Sequence, residues 1–434
     1  FLYLFMALQY ALIAIYSIGF LFIIKKWSLF KFNNINRKWF QIIFILKIMA
    51  GFGLYWIYTK HYTIRSEADI FKYFDDSKVM YEAFFQSKKH FFQMLFGVNC
   101  EGQEFRDLYY DNMTNWYKTY DSIVFNNNRT MIRVNAILHL ISFGSYHIHS
   151  IFMCFFSLTG ITLLLKTFNP IKQGRKILSL LLVFLLPSIL LWTSGNLKEA
   201  LLFLFLGSTL FCLQQIISKK KWIYIPLLLV SIYFLFITKY YVLIALIPVM
   251  LGYSFKLFSD RLIAIRYLSA IGICVIAAFV ISSVKPDYHF ANLIAGKRND
   301  MIRYAGKMQA KSLYDDIQIE RNWSSIMSCA PKSMINAIIQ PLPHSKSNVF
   351  QLIAFIENLL ILSFLLYCII RSRAGPHRVY IWFIVLFVTV LYLILGLTTP
   401  VAGALVRYKV PGLVMLMILC LLLNNNKKLS LKEM

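Results

Sequence analysis

The residues best suited to chemistry are one acidic segment and a few cations in places where cations are not expected. Ser66-Glu67-Ala68-Asp69 opens a long hydrophilic stretch just behind an apolar run. A carboxylate held at a membrane surface, partly dehydrated and near cations, suits a general base towards a hydroxyl. Glu67 and Asp69 equally suit a divalent ion (Mg or Mn) bridging phosphates, or an acidic helix start favoured by the dipole. Further on, Lys198 (beside Glu199), Lys239, and Arg407 with Lys409 stand at the ends of apolar runs. An ionisable group at the membrane boundary is costly without a partner and is a functional hypothesis by default. Arg407 offers a planar fork to phosphate oxygens, and the lysines offer point charges. The alternative is interfacial snorkelling, with Lys198 paired to Glu199.

Other residues extend the set. Arg133 stands where the first hydrophilic stretch returns to the membrane, and His344 where the second does, so both are candidates for phosphate contact. His139, His147 and His149 lack carboxylates at a metal-ligand spacing, which argues against zinc. Glu357 lies inside an apolar run beside Asn358 and must be paired or protonated, in a transport pathway or an interhelix hydrogen bond. Of seven cysteines, Cys100 and Cys329 fall in the hydrophilic stretches; if both face an oxidising compartment they could pair, the alternative being two free thiols. Trp116, Tyr117 and Trp323 are available there to stack on a sugar.

These residues are positioned by a membrane bundle. Apolar residues make up 59% of the 434 and charged residues 15%, with a mean hydropathy of +0.63. That is too apolar for a typical soluble domain, and the excess falls in runs of roughly 17–24 residues, enough to cross a ~30 Å hydrocarbon layer as a helix. The net charge of +26 is topological rather than a sign of nucleic acid, since Lys and Arg crowd the short loops between alternate runs. The first such loop holds Lys25, Lys26, Lys31, Arg37 and Lys38 and no acid, so the N-terminus is expected outside and the C-terminus in the cytoplasm. The pattern predicts an all-α polytopic protein of about 11 transmembrane helices, one helical domain over 1–434. Two large extracytoplasmic loops, 59–130 and 285–347, interrupt it. The first carries nine basic and ten acidic residues, a balance that marks a folded loop, with amphipathic interface helices expected in Ala68–Phe96. Trp222–Thr238 and Tyr240–Phe255 form a tight outer hairpin around Lys239, and Ile177–Thr193 reads as one span.

A multi-span chain with an acidic motif in its first large outer loop resembles the GT-C superfamily of glycosyltransferases. Pro187-Ser188-Ile189-Leu190-Leu191-Trp192-Thr193-Ser194-Gly195-Asn196-Leu197-Lys198-Glu199 resembles a segment of bacterial, Bacteroidetes-like polysaccharide-assembly membrane proteins, which are similar to lipid-linked glycosyltransferases and O-antigen-type polymerases. Thr399-Pro400-Val401-Ala402-Gly403-Ala404-Leu405-Val406-Arg407-Tyr408-Lys409-Val410-Pro411 resembles their late outer loop. The likeness in architecture covers nearly the whole chain. It implies a transferase in the bacterial inner membrane, taking sugar from a polyprenyl-phosphate or -pyrophosphate donor to a glycan or protein acceptor. Asp69, with Glu67 as competitor, would be the base; Lys198, Arg407 and Lys409 would hold the donor phosphate. The acidic motif follows the second predicted span, where many GT-C enzymes carry it after the first, and no second acidic motif completes a metal site. The rival readings are a transporter or flippase of a lipid-linked anion, and a non-catalytic subunit of an envelope or secretion complex.

Overall fold

The computed structural model describes residues 2–32, 35–61, 65–117, 125–170, 176–257, 262–284, 289–310, 312–314, 317–343, 349–372 and 377–424. These are helical throughout, with only two isolated β-bridges, Phe32 with Ile35 and Leu313 with Val401. The chain opens with α1 (Leu2–Lys26) and α2 (Lys38–His61). The first hydrophilic loop contains α3 (Asp69–Gln86), α4 (Lys88–Phe96) and α5 (Gln103–Leu108), and α6 (Asn128–Ser142) starts at its end. Then come α7 (Tyr146–Phe168), α8 (Lys176–Phe184), α9 (Pro187–Trp192), α10 (Lys198–Lys219), α11 (Ile225–Ser254) and α12 (Ile263–Val284). The second loop holds α13 (Phe290–Lys307) and α14 (Trp323–Ile339). The last four are α15 (Val349–Ile370), α16 (Arg378–Thr398), α17 (Ala402–Tyr408) and α18 (Val410–Leu423).

Among the described residues, eight helices are long and apolar enough to cross a membrane, and a ninth counts if α17 and α18, bent by 51°, act together. The protein is therefore a helical polytopic membrane protein. The fold departs from the expected run of spans at Ile177–Thr193, while the break expected at Lys239 is present. Ile177–Thr193 is not one helix: α8 ends before Leu185-Leu186 and α9 restarts at Pro187, whose missing N–H and fixed φ suit a first turn. Near Lys239 the backbone leaves helical geometry (φ −151°, ψ 81°) inside α11. The side chains show a reversal there. Lys239 reaches Glu199 at the start of α10, Phe234 stacks on Phe205 at 4.9 Å, and Tyr224 meets Phe211 near its end. On the other arm, Tyr253 hydrogen-bonds Ser218, again at the far end of α10, at 2.7 Å. Both arms thus lie along α10, and Lys239 is the turning point.

The tightest packing is between α7 and α10. A Cβ on Gly160 would lie 2.0 Å from the Phe203 carbonyl oxygen, and one on Gly207 2.1 Å from that of Gly160. Small residues let two backbones touch, a common basis of helix association where lipid removes the hydrophobic drive. Gly396 does the same for α16 against α14, with Ser333 O 2.0 Å from its notional Cβ, so α14 is seated on the bundle. In the first loop, α3 buries Ile70, Phe71, Tyr73, Phe74, Ser77, Met80 and Ala83 at helical spacing, and the expected amphipathic helices are present. Asp76 fixes the loop above it, accepting from the backbone N–H groups of Thr114 (3.0 Å) and Asn115 (2.8 Å).

The α7–α10 contact yields a stability test. Gly160→Leu should lower thermal stability in detergent by about 1–3 kcal/mol, the usual cost of overpacking. Gly53→Ala, where a Cβ meets nothing within 4 Å, should leave the unfolding midpoint unchanged or slightly raised.

Candidate functional site

Six charged side chains from four helices converge where the first loop meets the bundle. Asp69 is the first residue of α3, and Lys72 stands one turn on. Lys198 and Glu199 open α10, Lys239 is the break in α11, and Arg407 is the penultimate residue of α17, just before the bend into α18. All but Lys72 lie at a helix end or break, where unpaired backbone groups already make the membrane less apolar. Lys198, Glu199, Lys239 and Arg407 are 5%, 0%, 3% and 6% exposed. The Asp69 side chain keeps 32%.

Arg407 joins the two carboxylates. Its Nε donates to Glu199 Oε1 at 2.8 Å, and its Nη1 pairs with Asp69 Oδ2. Lys239 Nζ donates to the same Glu199 oxygen at 2.6 Å and to the Tyr241 hydroxyl at 3.2 Å. Lys72 pairs with Asp69 Oδ1. Lys198 Nζ donates to the side-chain oxygens of Asn127 and Asn128, both at 2.7 Å. Rings face these cations: Tyr408 lies 4.3 Å from Lys239, Tyr73 4.9 Å from Lys198, and Trp192 5.8 Å from Arg407. The first loop also stabilises the break. Asn127 Nδ2 and Thr130 Oγ1 donate to the Thr238 and Ile237 carbonyls at 3.1 and 2.9 Å, beside the turn at Lys239. From the second loop, α13 brings Tyr304 close enough to feel the Lys72 charge.

Among the described residues meeting here, four cations face two carboxylates. Burial alone would raise the Asp69 carboxyl, but Lys72 and Arg407 outweigh it and hold it well below the usual carboxylate range. Burial likewise works against the Lys72 ammonium, and the Asp69 charge more than offsets it and raises its pKa. Asp69 is thus a fixed anion while its two cations remain in place. A divalent ion would have to displace them. Among the described residues no group of three or more His, Cys, Asp or Glu is arranged to hold a metal.

Of the residues singled out from sequence, Asp69, Lys198, Lys239 and Arg407 meet, and Lys198 is not paired to Glu199 as the snorkelling alternative had it. Lys409 goes elsewhere. It donates to the Gln340 and Ile338 carbonyls at 2.9 and 3.3 Å, and to Asn358 Oδ1 at 3.2 Å, at the end of α14. Glu357 lines the same small cavity, held by the Ser188 N–H at 3.0 Å and by its hydroxyl. Arg133 belongs to the first-loop core: its Nε donates to Met94 O at 2.8 Å, and it lies over Trp116. The Glu67 side chain and His344 lie outside the described residues.

Of the two alternatives for Cys100 and Cys329, the structure has the free thiols and not the disulfide. Cys100 is a free thiol buried in the first-loop core, and Cys329 a free thiol packed against the α13–α14 cluster. Trp116 is no sugar platform either, being wholly buried and stacked on Tyr110 at 4.5 Å. Trp323 leans on Phe279 at 4.5 Å, while Tyr117 is exposed. His139 and His149 form a buried pair with rings 4.6 Å apart, and His149 bonds Asn135 (2.6 Å) and Ser142 (2.7 Å). Burial lowers His139 to about 4, so it is neutral.

Sequence reading missed Lys72, Asn127 and Asn128 at the site, and Lys47 in the bundle. Lys72 was signalled by its place one helical turn from Asp69. Asn127 and Asn128 are uncharged and carried no such signal. Lys47, deep in α2, donates to Thr193 Oγ1 at 2.5 Å; a lysine inside an apolar run was its signal. Compared with known proteins, the chain matches no family model, no curated protein and no solved structure.

Two measurements test the electrostatics. Arg407→Met leaves Asp69 to Lys72 and Glu199 to Lys239 with no bridge between them, and should destabilise the protein by about 3 kcal/mol in thermal unfolding, the low end of the cost of removing one partner from a buried ionic group. Asp69 has a folded pKa below its unfolded value, so its contribution is complete above the unfolded value of about 4 and fades as pH falls through the folded one. The cost of Asp69→Asn should therefore be equal at pH 5 and pH 8 and shrink below pH 4.

Proposed function

We propose that the protein is a membrane glycosyltransferase that takes sugar from a polyprenyl-phosphate- or pyrophosphate-linked donor at the extracytoplasmic face of a bacterial inner membrane. The observation that carries this is the convergence of Lys72, Lys198, Lys239 and Arg407 on Asp69 and Glu199 under the first hydrophilic loop. A phosphate arriving from the lipid needs cations at the membrane boundary and a water-poor setting, where they act strongly. Arg407 supplies the fork, Lys198 and Lys239 the point charges. The fold-back at Lys239 and the broken α8–α9 segment fit a topology of about 11 crossings with Lys/Arg-rich loops in the cytoplasm. In that topology both hydrophilic loops lie outside, above the site, where a glycan or protein acceptor would approach.

The reaction is a substitution at the sugar's anomeric carbon. The acceptor hydroxyl oxygen forms the new bond, and the bond to the lipid-phosphate oxygen breaks. The phosphate leaves with the electron pair against Arg407 and the lysines, and a carboxylate of the cluster takes the hydroxyl proton. Donor phosphate and carboxylates compete for the same cations, so donor binding loosens the lattice seen here.

A flippase reading draws on Glu357 and Lys409, charges set inside the bundle. Each, however, is met by a helix end: the carboxylate by the first turn of α9, the ammonium by the last carbonyls of α14. Those roles are structural and leave the transferase reading ahead.

The test is substitution in the producing cell. Arg407→Ala and Lys198→Ala, at normal protein levels, should each lower surface glycan formation by about 100-fold, the scale of losing one transition-state charge donor. Lipid-linked sugar should accumulate in the lipid fraction, measured by mass spectrometry. Full function in both variants and in Asp69→Asn would sink the reading.

A further inference from the structure

The two carboxylates of the site are not equivalent. Both Asp69 oxygens are occupied, Oδ1 by Lys72 and Oδ2 by Arg407. Glu199 receives Arg407 Nε and Lys239 Nζ on a single oxygen, Oε1. Its Oε2 is buried and accepts no hydrogen bond among the described residues. A buried carboxylate oxygen without a donor is exceptional, because water has been removed and nothing has replaced it. The Tyr241 hydroxyl, which accepts from Lys239, makes no hydrogen bond to Oε2. Glu199 is also rigidly held: it is fully buried, in the first turn of α10, and pinned by two cations through the other oxygen.

We infer that Oε2 of Glu199 is the atom that receives the acceptor's hydroxyl hydrogen, and that Glu199 rather than Asp69 is the proton-accepting catalytic residue. The inference rests on the transferase reading above and assigns a role within it. A neutral O–H is the donor class that fits, because the cluster already holds more cations than carboxylates. Both halves of the reaction would then meet on one carboxylate: Oε1 holds the fork that would bind donor phosphate, and Oε2 would take the acceptor hydroxyl. In the step, the acceptor O–H bond breaks, the oxygen's electron pair forms the bond to the anomeric carbon, and the carbon–phosphate-oxygen bond breaks. The proton ends on Oε2 as a carboxylic acid and is later returned to water. Asp69 keeps Lys72 and Arg407 in register and is a positioning residue.

The experiment uses full-length protein in nanodiscs of phosphatidylethanolamine and phosphatidylglycerol, with polyprenyl monophosphate as the binding probe read by native mass spectrometry. Transfer is read in membranes of the producing cell, as glycan formed against lipid-linked sugar retained, across a pH series. Glu199→Gln keeps an oxygen for Arg407 but cannot take a proton. It should bind the probe within about threefold of wild type while transfer falls by about 10²–10⁴-fold, the range of a lost general base. Asp69→Asn should weaken probe binding and transfer together and leave the pH profile of the residual transfer unchanged. If Glu199→Gln does not reach normal protein levels, Glu199→Asp serves: a transfer loss of tenfold or more with near-normal probe binding supports the assignment. Transfer at the wild-type rate by whichever variant folds overturns it and leaves Oε2 as the seat of a fixed water. The assignment is equally overturned if Asp69→Asn is the variant that binds the probe yet fails to transfer. A wild-type protein that does not bind polyprenyl phosphate would instead overturn the transferase reading itself.

Discussion

The structure depends on one guanidinium. Arg407 bridges Asp69 and Glu199, residues 338 and 208 positions away in sequence, with Glu199 and the guanidinium buried and Asp69 partly open to solvent. In low dielectric each of these groups is tolerable only while its partner is present. That constraint sets the placement of four helices at once: the start of α3, the start of α10, the turn in α11 and the end of α17. The close α7–α10 contact at Gly160 and Gly207 supplies the apolar framework, and the ionic bridge fixes how the loop-side ends of the helices meet.

The site also shows why its charges sit at helix discontinuities. A continuous transmembrane helix hides its own amides and carbonyls, leaving little for a cation to meet. Each break exposes backbone groups that need partners, and here the partners come from another part of the chain. Asn127 and Thr130 serve the carbonyls near the turn in α11, Lys409 those at the end of α14, and the Ser188 amide meets Glu357. The non-helical backbone thus joins the hydrophilic loops to the bundle.

Much of this was legible in the sequence, for a definable reason. Membrane physics leaves few positions for a charge, so cations on the wrong side of apolar runs had to find one another or an interface, and Lys198, Lys239 and Arg407 did meet Asp69. The helical, polytopic character followed from the apolar runs in the same way. The illegible parts depend on distance in sequence or on direction. Nothing local tells Glu199 that its partners are Lys239 and Arg407 rather than adjacent Lys198. Lys409 stands beside Arg407 in sequence, yet residues two apart on a helix point to opposite faces, and Lys409 accordingly serves α14. Trp116 and Cys100 carried no signal of their burial, because a folded loop has its own core. Pro187 did mark the break in the segment read as one span.

The arrangement of partners has a consequence for how the chain is made. Synthesis proceeds from the N-terminus, and each carboxylate has a cation close at hand before the distant one exists. Asp69 has Lys72 three residues on, and Glu199 has Lys239 forty residues on, across a single helix reversal. Arg407 emerges only after both pairs can have formed, and its arrival converts two separate local pairs into one bridged lattice. No long-lived nascent chain has to hold either carboxylate in the membrane alone, and the last helices to insert close the site.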